Sequence, residues 1–455
     1  MNRVAHRSTI ALILAVILVA GMVLFAVEFV VQADDWAVFQ GNPHVYNGTN
    51  IGCGVITDRD GTLLLDATSG REYAEDYATR LATLHWLGDR DGYISAPAVT
   101  YYSNEMAGYD LINGLYSYSG TGGEAQMTLS AYVQKAALDA MGDQKGTVAV
   151  YNYETGEILC AVSTPTYDPD DVPDIEGDES GAYEGVYLNR FTQVNYVPGS
   201  IFKIITAAAA LEMDEDTQNI EFYCDGSYEI EGDSVVCEEY HGTVNMKSAL
   251  AKSCNGYFAQ LVQYLGADTL SKYVEQMQVM RSVSFDGITT SGGNFDIEDA
   301  ATVEQAWAGI GQYTDLINPC RFMAVMGAIA GGGEAALPYV VGQVRSGMSV
   351  NYKAKAESTG RLLSKDTAEL LQQMMRNNVE SVYGSWNFPD GMTVCAKSGT
   401  AQVDGKKPNA TFAGFVTEKE YPLAFIVVVE NAGHGSNVCV PIISDVLEAC
   451  QEVMD

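Results

Sequence analysis

Three short polar motifs lie in order along the chain, and each carries residues that could take part in acyl transfer. They are Ser200-Ile201-Phe202-Lys203, Ser253-Cys254-Asn255 and Lys397-Ser398-Gly399-Thr400. A serine hydroxyl is a weak nucleophile until a neighbouring base removes its proton. Lys203 lies one helical turn after Ser200, so its amine could reach the Ser200 hydroxyl. The first motif therefore predicts a serine nucleophile, Ser200, with a lysine base, Lys203.

The other two motifs would supply the groups that this chemistry needs around the serine. Lys397 is a cation that could lower the pKa of Lys203 and attract a substrate carboxylate. Ser253 would relay a proton, and Asn255 would hold a peptide amide. The backbone N–H groups at the start of the helix would stabilise an oxyanion.

The third motif would form one wall of the site. The hydroxyls of Ser398 and Thr400 can bind a carboxylate. Gly399 would let a ligand approach the backbone closely, with the amide of Thr400 facing the reacting carbonyl. Each motif alone also has a structural explanation, as a helix cap or a strand-end turn. The three motifs together, in this order, favour a catalytic interpretation.

Helices and strands must position these motifs. Pro198-Gly199 predicts a turn, and the alanine-rich run from Ile201 to Met213 predicts a helix with Ser200 at its N-terminus. GTVAVYNYETGEILCAVSTP predicts two strands, and GMTVCAKSGTAQV, NATFAGFVT and YPLAFIVVVEN predict three more before a last helix. Strands from both ends of one region, with helices between them, predict an α/β (α+β) fold in which helices cover a single antiparallel sheet.

The N-terminal segment predicts one membrane anchor. Arg3 and Arg7 precede an apolar run from Ile10 to Val31 that only Glu28 interrupts with a charge. About 20 apolar residues span a bilayer as a helix, and basic residues before the run place the N-terminus inside. We expect an uncleaved anchor in the cell membrane, with the rest of the chain extracytoplasmic. A cleaved signal peptide is the alternative, since Val31-Gln32-Ala33 could form a cleavage site.

The chain is expected to have three parts. Residues 1–32 form a short cytoplasmic tail and the anchor. Residues 33–124 form a small N-terminal domain of the pedestal or dimerisation type, and residues 125–455 contain all three motifs. The formal net charge of −34 excludes a nucleic-acid groove, which would need clustered lysine and arginine.

The chain has nine cysteines, so at least one is unpaired within it. Cys224 and Cys237 flank a Gly-rich acidic segment, and outside the cytoplasm a disulfide between them is plausible. A zinc site with His241 is less favoured, because no further Cys or His lies at finger-like spacing. The remaining cysteines, Cys254 among them, are expected to be buried small hydrophobic residues.

From about Gln126 to its C-terminus, the sequence resembles the transpeptidase domain of the penicillin-binding proteins. Beyond the three motifs, the resemblance rests on TGEILCAVSTPTYDP, NRFTQVNYVPGSIFK, HGTVNMKSALAKSCNGYF and GIGQYTDLINPCRFMAVMGAIAGGG. The anchor followed by GVITDRDGTLL is similar to the class B, monofunctional members, and most similar to the smaller penicillin-binding protein A type. The departures are mild: Cys254 inside the second motif, Ser398 where threonine is frequent, and Thr411-Phe412 in place of an aromatic pair.

This resemblance implies a penicillin-binding or serine β-lactamase-like transpeptidase fold and a peptidoglycan D,D-transpeptidase that works through an acyl-serine. Ser200, Lys203 and Ser253 would be catalytic. The substrate-binding residues would be Asn255, Lys397, Ser398, Gly399 and Thr400. The implied partners are peptidoglycan stem peptides, β-lactam antibiotics, the lipid bilayer and a membrane glycosyltransferase. No metal or organic cofactor would be needed.

Other functions share parts of this pattern. A β-lactamase would also need a base placed for water, and no E-x-x-L-N segment lies between Asn255 and Lys397. A D,D-carboxypeptidase fits the motifs, although such proteins usually have a C-terminal tether. A bifunctional enzyme would need more than the roughly 90 residues before the catalytic region. A non-catalytic scaffold of the cell-wall machinery could coexist with catalysis.

Overall fold

A computed structural model describes residues 2–39, 41–68, 70–109, 122–403 and 405–455. Part of the expected N-terminal domain, residues 110–121, lies outside the described residues. The α-helices of the described chain are α1 (Asn2–Ala37), α2 (Tyr77–Leu87), α3 (Pro97–Thr100), α4 (Ser103–Ala107), α5 (Ala131–Met141), α6 (Arg190–Gln193), α7 (Lys203–Met213), α8 (Met246–Ala251), α9 (Asn255–Leu265), α10 (Ala267–Gln276), α11 (Thr302–Ala308), α12 (Pro319–Ala330), α13 (Lys365–Asn378) and α14 (Gly435–Met454).

The strands are mostly short, and the longest of them lie in one sheet. They are β1 (Tyr46–Asn47), β2 (Asn50–Ile51), β3 (Val55–Thr57), β4 (Leu63–Asp66), β5 (Glu72–Tyr73), β6 (Glu124–Met127), β7 (Gly146–Asn152), β8 (Ile158–Thr164), β9 (Phe222–Cys224), β10 (Ser227–Ile230), β11 (Asp233–Val236), β12 (Gly242–Val244), β13 (Ser284–Phe285), β14 (Ile288–Thr289), β15 (Val341–Ser346), β16 (Ser349–Lys353), β17 (Val394–Ala401), β18 (Asn409–Val416) and β19 (Leu423–Val429).

A five-stranded antiparallel sheet forms the centre of the motif-bearing region. Its strand order is β17-β18-β19-β7-β8. The hairpin β7-β8 is the strand pair predicted around Glu154-Thr155-Gly156, and β17, β18 and β19 are the three strands predicted near the C-terminus. The predicted antiparallel sheet flanked by helices is therefore confirmed.

Both faces of this sheet are covered, because successive side chains of a strand point to opposite faces. Val148, Val150 and Val427 belong to one buried cluster, in which α5 and α14 cover the sheet. Ile426 and Val428 belong to a second, larger cluster that includes α7, α9 and α12. This alternation explains why the strand sequences read as nearly continuous apolar runs.

A second sheet, which the sequence did not predict, joins distant parts of the chain. Its six strands have the order β16-β15-β6-β3-β4-β5, so strands before and after residue 124 lie side by side. Asp286 reinforces this region: it accepts hydrogen bonds from the hydroxyl of Tyr102 at 2.6 Å and from the amides of Val340 and Val341 at 2.7 and 3.0 Å. The expected boundary near residue 124 stays a prediction.

The N-terminal helix α1 differs from every core helix. Its segment Arg3–Ala33 is long and apolar enough to cross a membrane, with a mean hydropathy of 3.2, and none of its most apolar window is buried in the protein. An apolar helix exposed along its length needs an apolar solvent. This helix therefore fits the predicted membrane anchor.

Candidate active site

Ser200 lies on a turn that precedes a buried helix. Residues Gly199–Phe202 form a single 3-10 turn, which continues at Lys203 into α7. Gly199 has a φ of 60°, a left-handed conformation that glycine adopts without steric cost. The turn brings Ser200 to the wall of a cleft of about 750 Å³, while the helix behind it is packed into the core.

Lys203 is fully buried, and its amine is bound by the second motif. Its Nζ donates hydrogen bonds to the carbonyl oxygen of Ser253 at 2.6 Å, to Oδ1 of Asn255 at 2.6 Å and to Oγ of Ser253 at 3.2 Å. The same Nζ lies 5.8 Å from the ring centroid of Phe258, a favourable position for a cation. The first two motifs therefore meet through Lys203.

Ser253 connects the two buried lysines. Lys397, from β17, donates hydrogen bonds from Nζ to Oγ of Ser253 at 3.2 Å and to the carbonyl oxygen of Ser398 at 2.6 Å. Ser253 has a φ of 53°, which is uncommon for a residue with a side chain and costs conformational energy. This backbone conformation places one hydroxyl between two amines, as a proton relay requires.

Burial changes the protonation of both lysines. Burial, followed by the positive charge of Lys397, lowers the pKa of Lys203 to about 7. Burial also lowers the pKa of Lys397 to about 7, while the negative charge of Glu238 opposes this shift. Near neutral pH, a neutral amine is thus available in a site where two full charges would repel each other.

Gly399 is needed for a reason that differs from the one predicted. A Cβ on Gly399 would collide with Oγ1 of Thr411 and would lie 2.9 Å from the carbonyl oxygen of Pro198 and 3.1 Å from the amide of Ile201. The space beside Gly399 is therefore filled by the protein's own turn before α7. The glycine lets β17 pack directly against the turn that carries Ser200.

Ser398 and Thr400 lie on the cleft side of the same strand. The Oη of Tyr383 lies 2.9 Å from Oγ of Ser398 and also accepts the amide N–H of Ser398 at 2.9 Å. Oγ1 of Thr400 accepts the amide N–H of Gly435, at the start of α14, at 3.3 Å. Both hydroxyls are thus oriented by neighbours outside the three motifs.

The structure brings all eight predicted site residues together. Ser200, Ser253, Asn255, Ser398, Gly399 and Thr400 line the cleft, while the amines of the two lysines reach Ser253 from inside the protein. The arrangement offers a serine hydroxyl, two amines of lowered pKa and a second hydroxyl between them. Chemically, it can activate a serine for attack on a carbonyl.

The sequence model of the family described as the penicillin binding protein transpeptidase domain matches residues 146–448, more than half of the chain. The chain belongs to this family. Among curated relatives, stage V sporulation protein D of Bacillus subtilis is 30% identical over 66% of this chain and 48% of its own length, so this chain matches about half of that relative. The peptidoglycan D,D-transpeptidase PbpA of Mycobacterium tuberculosis is 28% identical over 72% of each chain.

Among solved structures, penicillin-binding protein A from Mycobacterium tuberculosis, a ceftriaxone acyl-enzyme complex, superimposes with a TM-score of 0.75 at 25% identity. The match covers 87% of this chain and 98% of that one. The predictions of a class B penicillin-binding protein, similar to the smaller penicillin-binding protein A type, and of its transpeptidase fold are confirmed.

Some residues of this penicillin-binding protein's cleft were missed from the sequence. Tyr383 ends a π-helical turn, Val379–Tyr383, and is buried against Phe412 of β18. Trp307, Gln312 and His434 also line the cleft. These residues lie outside the three motifs, although Gln312 falls within the GIGQYTDLINP stretch that carries part of the family resemblance. They line the cleft because of the way the chain packs around the sheet.

The predicted disulfide is absent from the described structure. The sulfurs of Cys224 and Cys237 are 3.5 Å apart, whereas a disulfide bond is about 2.05 Å long. The expectation that Cys254 is a buried small residue is confirmed, and its sulfur also lies 3.9 Å from that of Cys237. The segment between Cys224 and Cys237 forms the β10-β11 hairpin, and both cysteines lie close to Cys254 of the second motif. Sequence spacing alone did not predict this proximity.

Proposed function

We propose that this penicillin-binding protein is a peptidoglycan D,D-transpeptidase in which Ser200 is the nucleophile. The observation that carries the proposal is the chain of hydrogen bonds from Lys203 through Ser253 to Lys397, beside the serine at the start of α7. The curated relatives named peptidoglycan D,D-transpeptidases support the activity. The acyl-enzyme complex of penicillin-binding protein A supports an acyl-serine mechanism.

In the first step, Oγ of Ser200 attacks the carbonyl carbon of the penultimate D-alanine of a stem peptide, and its proton passes to the neutral amine of Lys203. The backbone N–H groups of Ser200 and Thr400 stabilise the oxyanion of the tetrahedral intermediate. The C–N bond then breaks. The departing amine of D-alanine receives a proton through the hydroxyl of Ser253, and an acyl-serine remains.

In the second step, an amine of a neighbouring stem peptide attacks the acyl-serine. The new C–N bond forms the cross-link, the C–O bond to Ser200 breaks, and the proton of the attacking amine returns to Ser200 through Lys203. β-Lactams would acylate the same serine, since their ring carbonyl takes the place of the peptide carbonyl.

The substrate would be held between α9 and β17. Lys397 and the hydroxyls of Ser398 and Thr400 would bind the terminal carboxylate of the stem peptide. Asn255 would bind a backbone amide of the substrate, and Gly399 would keep β17 close to the serine. The side chain of Lys397 is completely buried, so it would act on the carboxylate mainly through its charge.

The proposed location of the protein is supported by α1. Arg3 and Arg7, near the start of this apolar helix, favour an N-terminus inside the cell, so the cleft would lie outside the cytoplasmic membrane, where peptidoglycan is found. Residues 33–124 would form a pedestal between the anchor and the catalytic region. A membrane glycosyltransferase that supplies new glycan strands would bind to the anchor and this pedestal.

The test uses the full-length chain in detergent, incubated with benzylpenicillin and followed by intact mass spectrometry. We expect one persistent adduct on Ser200, and none in Ser200→Ala. Ser436→Ala is the matched control, since Ser436 lines the same cleft outside the three motifs. Normal labelling of Ser200→Ala would overturn the assignment of the nucleophile. Rapid loss of the adduct with release of hydrolysed drug would indicate a β-lactamase instead.

A further inference from the structure

Three thiols and one imidazole meet directly behind the second motif. The ligand atoms of Cys224, Cys237, His241 and Cys254, called here the cysteine cluster, all lie within 4.8 Å of one another. The three cysteines are buried and the histidine is partly buried. All nine cysteines are buried, and within the described residues these three alone belong to a group that could hold a metal ion.

The four residues come from three segments of the chain. Cys224 ends β9, and Cys237 follows β11, so the two lie at the open end of the β10-β11 hairpin. His241 lies in the same loop as Cys237, just before β12, which pairs with β9. Cys254 is the N-cap of α9. Convergence of four such residues from three segments is the pattern of a structural metal site.

Three of the six distances between ligand atoms agree with the edges of a tetrahedral site. With Zn–S bonds of about 2.3 Å and Zn–N bonds of about 2.0–2.1 Å, the edges of a tetrahedron are about 3.8 Å between sulfurs and 3.6 Å between sulfur and nitrogen. The sulfur of Cys237 lies 3.5 Å from that of Cys224 and 3.9 Å from that of Cys254. The sulfur of Cys224 lies 3.6 Å from Nδ1 of His241.

The surroundings of the sulfurs suit thiolates. The amide of Gly256 donates to the sulfur of Cys237 at 3.1 Å, and the amide of Tyr257 donates to that of Cys254 at 3.3 Å. Hydrogen bonds of this kind to the ligand atoms orient metal ligands. A Cβ on Gly256 would lie 3.3 Å from the sulfur of Cys224, so glycine at this position leaves room for the cluster.

We propose that the cysteine cluster binds one structural Zn²⁺ ion through Cys224, Cys237, His241 and Cys254. Three thiolates and an imidazole fill all four positions of the ion, so it leaves no open site for substrate and takes no part in acyl transfer. This zinc site departs from the metal-free enzyme that the family resemblance implied.

The ion would tie the β10-β11 hairpin to the catalytic motif. Cys254 stands between Ser253 and Asn255, and the side-chain amide of Asn255 donates to the carbonyl oxygen of Val236 at 2.7 Å. Residues 236–241 also line the cleft opposite Ser200. Zinc would thus fix one wall of the cleft and the loop that carries the Ser253 hydroxyl, which makes its ligands positioning residues.

The test measures zinc in the full-length chain, purified under reducing conditions and dialysed against metal-free buffer. Elemental analysis should give about one zinc per chain, since a closed four-ligand site binds it tightly. Cys224→Ser and His241→Ala should lose most of this zinc, and Cys439→Ser should keep it. Cys439 is the matched control because it is equally buried, in α14, outside the cluster.

A second measurement on the unmutated chain covers the case in which the variants fail to fold. After removal of zinc with a chelator, added Co²⁺ should give the absorption of a tetrahedral ion with thiolate ligands. A wild-type chain without zinc and without this cobalt spectrum would overturn the proposal. A Cys224–Cys237 disulfide, or zinc retained by folded Cys224→Ser, would also overturn it.

Discussion

Two buried polar clusters meet at the N-terminus of α9, and they satisfy their polar groups in different ways. In the catalytic cluster, each lysine donates to hydroxyl and carbonyl oxygens at 2.6 to 3.2 Å, so the protein itself supplies strong acceptors. In the cysteine cluster, thiols face one another, and S–H groups are weak donors and acceptors. The first cluster is complete as a protein structure, whereas the second calls for a cation.

The difference also shows how each cluster is positioned. Lys203 and Lys397 lie on a long helix and a long strand whose packing fixes them. Cys224 and Cys237 lie at the ends of short strands. Groups on regular elements can change their protonation during a reaction without moving. The positions of groups on loops are stabilised most by a ligand that cross-links them.

The largest expected effect comes from removing the proposed base. Lys203→Met keeps an unbranched apolar side chain in the buried site but removes the amine, so we expect the rate of acylation by benzylpenicillin to fall about 10²- to 10⁴-fold. Stopped incubations followed by intact mass spectrometry measure this rate. Lys365→Met, on the exposed start of α13, is the control and should acylate at the wild-type rate. A fall of less than about threefold in Lys203→Met would contradict the assignment of the base.

The next effect concerns the cysteine cluster. Removal of zinc from the wild-type chain with a chelator should slow acylation by roughly 10- to 100-fold, because a small displacement of the Ser253 loop disrupts the alignment of reacting groups. The melting temperature should fall as well, since binding of the ion contributes to folding. Both quantities should recover when zinc is restored. A slower reaction that zinc does not restore would point to damage unrelated to the cluster.

A third effect tests the lowered pKa values of the lysines. The pKa of Lys203 is about 7, so the neutral amine increases as pH rises through 7. The acylation rate should then rise about tenfold between pH 6 and pH 8 and level off above that range. Lys397→Ala removes the second cause of the shift, so the midpoint should move to higher pH. A midpoint that stays at the wild-type value in Lys397→Ala would show that the two amines are not coupled.

The smallest effect concerns Tyr383, which only orients Ser398. Tyr383→Phe removes one hydroxyl that accepts an amide N–H, a loss of about 0.5–1.5 kcal/mol for a typical hydrogen bond. We expect acylation to slow about 2- to 10-fold with little change in zinc content. The acylation rate is measured over a range of benzylpenicillin concentrations, and the zinc content is measured by elemental analysis. Tyr264→Phe, on an exposed part of α9, is the control. Loss of zinc in Tyr383→Phe would show that the two clusters are not independent.

The sequence predicted the central sheet and the three motifs that meet at the cleft, because each depends on local pattern. The strands β7, β8, β18 and β19 are largely apolar between turn residues, and the helix after Ser200 has strong helix formers. The three motifs are short enough to be read as units. The three motifs could be expected to meet, because a nucleophile with its base, a proton relay and a carboxylate-binding cation can act on one substrate only when they are close together.

The remaining features depend on contacts between distant segments. The six-stranded sheet escaped prediction because strands such as β3 and β5 have only two or three residues. The cysteine cluster escaped because two of the gaps between its ligands, from Cys224 to Cys237 and from His241 to Cys254, are longer than those between the paired ligands of a zinc finger. The left-handed backbone of Ser253 has no signal in its residue type, since serine rarely adopts it.

The position of β19 in the central sheet has a consequence for the order of folding. This strand lies between β18 and β7, and Val427 is paired with Val148. The β7-β8 hairpin is synthesised early, but it can pair with β19 only when nearly the whole chain has been synthesised. Pairing over such a long sequence separation is slow and leaves strand edges exposed in the meantime. We therefore expect this chain to be most prone to aggregation before β19 has been synthesised.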